Sequence, residues 1–183
     1  MFFRDHNAQT VVLLTPINDD LPVFWPGKQE EYDLGYFKVR FIEAREQEGH
    51  STLDLVVSSR YDDYELKVRI IHCSGWPHNA RPAHKVFSVV NLVQDWHLEY
   101  QNGPLVVVDR AGGTDAATFC ALTTLRKQLS AEEAVDVYSV SKLAHNKRPG
   151  IWRSKDDYLY LYQAWPSKLQ WLHYCRRAAA FLT

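Results

Sequence analysis

The chain has 183 residues, with 21 Lys and Arg against 22 Asp and Glu, for a formal charge of −1 at pH 7. That balance argues against a nucleic-acid partner, which requires a basic face. Apolar residues at 46% and charged residues at 23% exclude intrinsic disorder, and no apolar run approaches the ~20 residues of a membrane span. The start, Met1-Phe2-Phe3-Arg4-Asp5-His6, lacks the pattern of a secretory signal. Cys73, Cys120 and Cys175 are too widely spaced for a CxxC zinc site and odd in number for a disulfide framework. A reducing, cytosolic setting is expected, with no metal or cofactor.

In chain order, Thr10-Val11-Val12-Leu13-Leu14-Thr15 is a β-branched apolar run stopped by Pro16 and the turn Asn18-Asp19-Asp20, and predicts a buried strand. Residues 36–42, 53–57 and 64–71 largely alternate apolar and polar, as half-buried antiparallel strands do. Turns at Gly49-His50-Ser51 and Tyr61-Asp62-Asp63 join them into a meander. Over 82–99 the period changes. Val86, Val89, Val90, Leu92, Val93 and Trp96 fall at helical spacing, and Asn102-Gly103-Pro104 ends the helix. Leu105-Val106-Val107-Val108 predicts a short buried strand, followed by a glycine loop at 109–115 and a helix over 115–129. Ser130, with Glu133 three residues on, predicts the capped start of a helix through Val137, Val140 and Leu143, which Arg148-Pro149-Gly150 ends. A last helix over 156–172 is expected to break or kink at Pro166. Strands first and helices later, around a mixed sheet, give an α/β (α+β) domain.

Strand, glycine loop and helix together aim backbone N–H groups at an anion. The loop Asp109-Arg110-Ala111-Gly112-Gly113-Thr114-Asp115 has that shape but begins and ends with a carboxylate. Two unit charges about 4 Å apart repel by about 4 kcal/mol at an intermediate dielectric, so both acids oppose a phosphate dianion. The plain reading is a strand-to-helix turn, with Gly112 and Gly113 in unusual conformations and Asp115 capping the helix.

In its context the loop resembles the protein tyrosine phosphatase family. The signature V-H-C-S-A-G-x-G-R-T-G lies without a gap over Val107-Val108-Asp109-Arg110-Ala111-Gly112-Gly113-Thr114-Asp115-Ala116-Ala117. Phe24-Trp25-Pro26 is similar to the family's Y-W-P, and His72-Cys73-Ser74-Gly75-Trp76-Pro77-His78 to the stretch carrying its mobile W-P-D loop. Val135-Asp136-Val137-Tyr138 resembles V-D-V-F, and Arg148-Pro149-Gly150 with Asp156-Asp157-Tyr158 resembles R-P-G-M-V-Q-T-x-x-Q-Y. The segment from Thr118 to Leu125 is especially similar to the membrane-distal second domains of the gamma and zeta receptor types, which also carry Asp at the nucleophile position.

The resemblance implies a fold with its catalytic set replaced. Asp109 stands at the nucleophilic Cys, Asp115 at the phosphate-binding Arg and His78 at the general-acid Asp; Arg153 stands at the water-positioning Gln and Asp157 at the second Gln. A carboxylate is a poorer nucleophile than a thiolate and repels the substrate, and an acid at the Arg position removes a bidentate clamp. The expectation is a catalytically inactive domain acting by protein contact. Its implied partners are an active phosphatase domain in the same or another receptor chain and phosphotyrosine signalling proteins, on the cytoplasmic side of the plasma membrane. The alternatives are residual phosphatase activity with His78 as acid, or magnesium-dependent chemistry on Asp109. The latter lacks the second Asp of a D-x-D motif, because position 111 is Ala. No two His stand three or four residues apart, so a metal site is weakly supported.

His72-Cys73-Ser74 repeats three letters of the signature, but position 79 is Asn where Arg is needed, and Cys73 is expected to be a buried structural thiol. Residues 1–183 are expected to be the C-terminal two thirds of one such domain, its N-terminal part missing, with 165–183 a divergent tail.

Overall fold

The computed structural model describes residues 5–18, 22–76, 83–99 and 103–165. They fall into two compact units, Met1–Pro77 with Asn91–Ala111, and His78–Val90 with Gly112–Thr183.

The first unit holds a mixed sheet of β1 (Thr10–Leu13), β2 (Glu31–Asp33), β3 (Phe37–Gln47), β4 (His50–Ser59), β5 (Glu65–His72) and β6 (Leu105–Val108), in the order β2-β3-β4-β5-β1-β6. β3, β4 and β5 form the antiparallel meander their alternation predicts, and β1 runs parallel to both β5 and β6. Period-two alternation places Phe37, Val39, Leu53, Leu55, Val57, Leu66, Val68, Ile70, Val11 and Leu13 in one buried cluster. Each fully buried aliphatic side chain there stabilises the sheet by about 1.5–3 kcal/mol.

Asp54 is 2% exposed. It stands opposite Arg69 in the β4–β5 register. Arg69 donates from Nε to Asp54 Oδ1 at 2.6 Å and from Nη2 to Oδ2 at 2.7 Å, and Lys67 Nζ lies 3.5 Å from Oδ2. The Arg69 guanidinium also sits 3.6 Å from the centroid of the Trp96 ring. Burial raises the Asp54 pKa, yet the hydrogen bonds and charge of Arg69, helped by Lys67, outweigh it and hold the carboxyl below its ordinary value.

Three details of this sheet differ from expectation. β4 begins at His50, so its turn shrinks to Glu48-Gly49. β2 is an added strand, all three of its residues exposed. β6 is half-buried rather than buried, because it ends the sheet and has a strand neighbour on one side only among the described residues. Gly103 leads into β6: its N–H donates to the Asn7 carbonyl at 3.0 Å. A Cβ there would lie 2.3 Å from that oxygen, so only glycine permits the approach.

Helix α1 (Ala83–Glu99) belongs to the second unit through Val90 and to the first from Asn91. The second unit also contains α2 (Thr114–Glu132), α3 (Val137–Lys147) and α4 (Lys155–Gln163). α2 packs on α3 and α4. Phe119, Leu122, Leu125, Val137 and Leu161 are buried, and the Phe87 and Trp165 rings stand 4.8 Å apart.

Ser130 is not a helix start. α2 continues past it to Glu132, the Ser130 hydroxyl donates to the Arg126 carbonyl one turn back, and Glu133 closes the helix at φ 54°. The cap of α3 is Asp136, which accepts the Ser139 N–H at 2.9 Å and the Ser139 hydroxyl at 2.8 Å. Asp136→Ala is expected to cost about 1 kcal/mol, read as a lowered urea midpoint at unchanged slope. The capping box lies instead at Ser154 and Asp157, opening α4. α4 ends at Gln163, short of the expected helix over 156–172, and Pro166 with the tail lies outside the described residues.

Candidate functional site

The anion-loop positions divide between the two units. In the first, β6 delivers Asp109, Arg110 and Ala111. Asp109 is half-buried, and its Oδ1 accepts the Ala111 N–H at 2.9 Å. One of the backbone donors that such a loop would offer to a bound anion is thus engaged by the chain's own carboxylate.

In the second unit, Gly112 takes φ +56°, a left-handed conformation in which a side chain is strained. Its carbonyl accepts a hydrogen bond from the Arg148 guanidinium. Gly113 is the helix N-cap at φ −105°, without positive φ and without a side-chain cap. Thr114 is buried, and its hydroxyl donates to the Ile151 carbonyl at 2.7 Å. Asp115 does not cap α2 as expected. It lies in the first turn, half-buried, where its negative charge suits the helix N-terminus. A carboxylate so placed takes up the electrostatic attraction that the helix end would otherwise extend to a phosphate.

Of the other site positions, Asp157 serves local structure. Arg153 is exposed. Asp157 Oδ2 accepts the Ser154 N–H at 2.8 Å, and the Ser154 hydroxyl accepts the Asp157 N–H at 3.2 Å. His78 lies outside the described residues. Cys73 is fully buried, as expected of a structural thiol, with its N–H bonded to the Leu13 carbonyl at 2.8 Å. His72 Nε2 stands 2.9 Å from the Thr15 carbonyl oxygen. Among the described residues no group of three or more His, Cys, Asp and Glu is placed to hold a metal ion.

Two residues that hold the loop were not assigned to it by sequence: Arg148, 36 positions from Gly112, and Ile151, 37 positions from Thr114. Both belong to the stretch beginning Arg148-Pro149-Gly150, whose likeness to a family segment was the signal available.

The protein-tyrosine phosphatase family model matches residues 2–166. The chain belongs to this family. It is 38% identical over 159 residues to tyrosine-protein phosphatase 99A of Drosophila melanogaster, covering 86% of this chain and 12% of that protein. It is 40% identical over 160 residues to the putative receptor-type tyrosine-protein phosphatase mosPTP-1 of Culex quinquefasciatus, covering 87% and 11%. Human receptor-type tyrosine-protein phosphatase zeta is 36% identical over 171 residues, covering 87% and 7%. The chain therefore spans about a tenth of the length of these curated relatives. The mixed sheet and its helices agree with the phosphatase fold that the loop and landmark residues implied. No helix among the described residues is long and apolar enough to cross a membrane.

Proposed function

We propose that this chain is a catalytically inactive phosphatase domain, corresponding to the second, membrane-distal domain of a receptor-type enzyme, and that it regulates signalling by protein contact. The observation carrying this reading is Asp109, a carboxylate at the nucleophile position whose oxygen is hydrogen-bonded to the loop's own Ala111 N–H. Phosphoryl transfer to a nucleophile needs a group that attacks phosphorus while the surroundings take up the developing charge. Here the attacking position is an acid, and the arginine position is the acid Asp115. The receptor-type names of the relatives support a place on the cytoplasmic side of the plasma membrane. There the fold would meet an active phosphatase domain, in its own or another chain, and phosphotyrosine signalling proteins.

The test is hydrolysis of a phosphotyrosine peptide by the purified chain. Release of phosphate at the rate of a buffer blank is expected across pH 5 to 8. Turnover that Asp109→Ala abolishes would instead establish a residual phosphatase and overturn the reading.

A further inference from the structure

Two tyrosine rings meet where β3 begins and β4 ends. Phe37 pairs with Ser59 at the end of the β3–β4 ladder, so Tyr36 and the turn that follows β4 are the next positions outward. Phe37 is buried, and alternation turns Tyr36 to the other face. The Arg60 N–H donates to the Tyr36 carbonyl at 3.1 Å, and the Arg60 guanidinium is ion-paired to the Asp33 carboxylate. The turn is held by its own groups. The Ser59 hydroxyl accepts the Tyr61 N–H at 3.2 Å, Asp62 accepts the Tyr64 N–H at 3.1 Å, and the Ser59 N–H donates to the Tyr64 carbonyl at 2.9 Å. Backbone fixed on both sides keeps the Tyr36 and Tyr61 rings together, their centroids 5.5 Å apart and their planes inclined at 52°. Both rings stand in solvent, Tyr36 70% and Tyr61 76% exposed.

We propose that Tyr36 and Tyr61 form an oxidative modification site, at which hydrogen peroxide and a haem peroxidase couple the two rings into a dityrosine that ties the entry of β3 to the β4–β5 turn. The proposal does not depend on the protein-contact reading above. Each phenol gives up one electron and its hydroxyl proton and becomes a phenoxyl radical. The two radicals pair their electrons in a carbon–carbon bond between ring positions ortho to the oxygens, and the hydrogens displaced there return to the oxygens as the rings regain aromaticity. The peroxide takes up the two electrons and two protons and leaves as two waters. Proximity and exposure together select this pair. A radical on either ring has the other phenol beside it instead of diluted in solvent, which favours coupling within the chain over coupling between chains. The biaryl product draws the ring centres closer than 5.5 Å, a small movement for side chains this exposed. Tyr158 and Tyr162 are as near, with centroids 5.3 Å apart, but both are half-buried and their hydroxyls are hydrogen-bonded to each other at 2.8 Å. An enzyme-sized oxidant reaches the exposed pair first.

The test treats a dilute solution of the 183-residue chain with a haem peroxidase and hydrogen peroxide, then isolates the monomer, digests it and sequences the linked peptides by mass spectrometry. A linked pair lighter than the sum of its parts by two hydrogens is expected, with the bond at Tyr36 and Tyr61 and with dityrosine fluorescence in the intact monomer. Tyr36→Phe and Tyr61→Phe keep the ring contact but remove the phenol, and each should lower the monomer's dityrosine at least about tenfold. Tyr158→Phe should leave it unchanged. The linked monomer should also show a higher urea midpoint than the untreated chain, because the bond closes the segment between 36 and 61 in the unfolded state. Treated Tyr61→Phe should show no such rise. A bond found only between chains, a bond at Tyr158 and Tyr162 instead, dityrosine that persists in the monomer of Tyr61→Phe, or an unchanged urea midpoint for the linked monomer would overturn the proposal.

Discussion

Asp109→Cys combined with Asp115→Arg is expected to yield a phosphotyrosine-peptide turnover at least ~10³-fold above the parent chain, because on the proposed alignment each change would supply an interaction made in the transition state. The thiolate is the stronger nucleophile. Its sulfur forms a bond to phosphorus as the bond to the tyrosine oxygen breaks, and that oxygen takes a proton from water. The guanidinium in the first turn of α2 then adds a bidentate clamp to the backbone donors around Gly113. Asp109→Cys also removes the hydrogen bond that the Asp109 carboxylate takes from the Ala111 N–H. Either change alone is expected to gain little: the thiolate without the guanidinium lacks the clamp, and the guanidinium without the thiolate lacks a nucleophile. With His78 and Arg153 left in place, the phospho-enzyme should form faster than it is hydrolysed, so rapid mixing should show a burst of product followed by a slow phase. A folded double variant that stays at the parent rate would show that 109–115 is misaligned with the family loop.

The second large effect is on stability. Asp54→Ala is expected to destabilise the chain by about 3–5 kcal/mol, since it leaves Arg69 half-buried against Trp96 without its bidentate partner. Set against a typical total of about 5–15 kcal/mol, that loss threatens folding at 37 °C. Replacing the pair together, as Asp54→Leu with Arg69→Met, should recover most of the loss, because no isolated charge remains. The pair also predicts a pH dependence. The folded pKa of Asp54 is depressed below its ordinary 3.8, so its contribution is present above that value and disappears as pH falls through the folded pKa. Urea midpoints measured at pH 7 and below pH 3.8 should therefore fall more for the parent than for Asp54→Ala. An equal fall in both would show that Arg69 does not depress the Asp54 carboxyl.

The strands were legible where burial imposes a period. Phe37, Val39, Leu53, Leu55, Val57, Leu66, Val68 and Ile70 face one core and alternate accordingly. β2 gave no such sign because Glu31, Tyr32 and Asp33 are all exposed. Local capping chemistry misled at Ser130, where a serine with an acid three residues on also fits a helix interior, and the back-bond to the Arg126 carbonyl satisfies the hydroxyl. In the loop, chain order revealed the glycines and the two acids, and composition revealed their charge. It could not reveal that Arg148 and Ile151 anchor the loop, since contacts across such separations follow from the packing of α2 with α3 and α4.

The capping box at Ser154 and Asp157 has an implication for reversibility. On the proposed alignment, Asp157 stands where an active enzyme carries glutamine, yet its carboxylate now holds the first turn of α4. Asp109 likewise holds its own turn through the Ala111 N–H. On the proposed reading, both positions now hold local structure, so changing either one singly to the family's residue would sacrifice a fold contact before any chemistry is gained. If the chain is inactive as proposed, the first step toward an enzyme would therefore run uphill in stability, and inactivity would act as a ratchet.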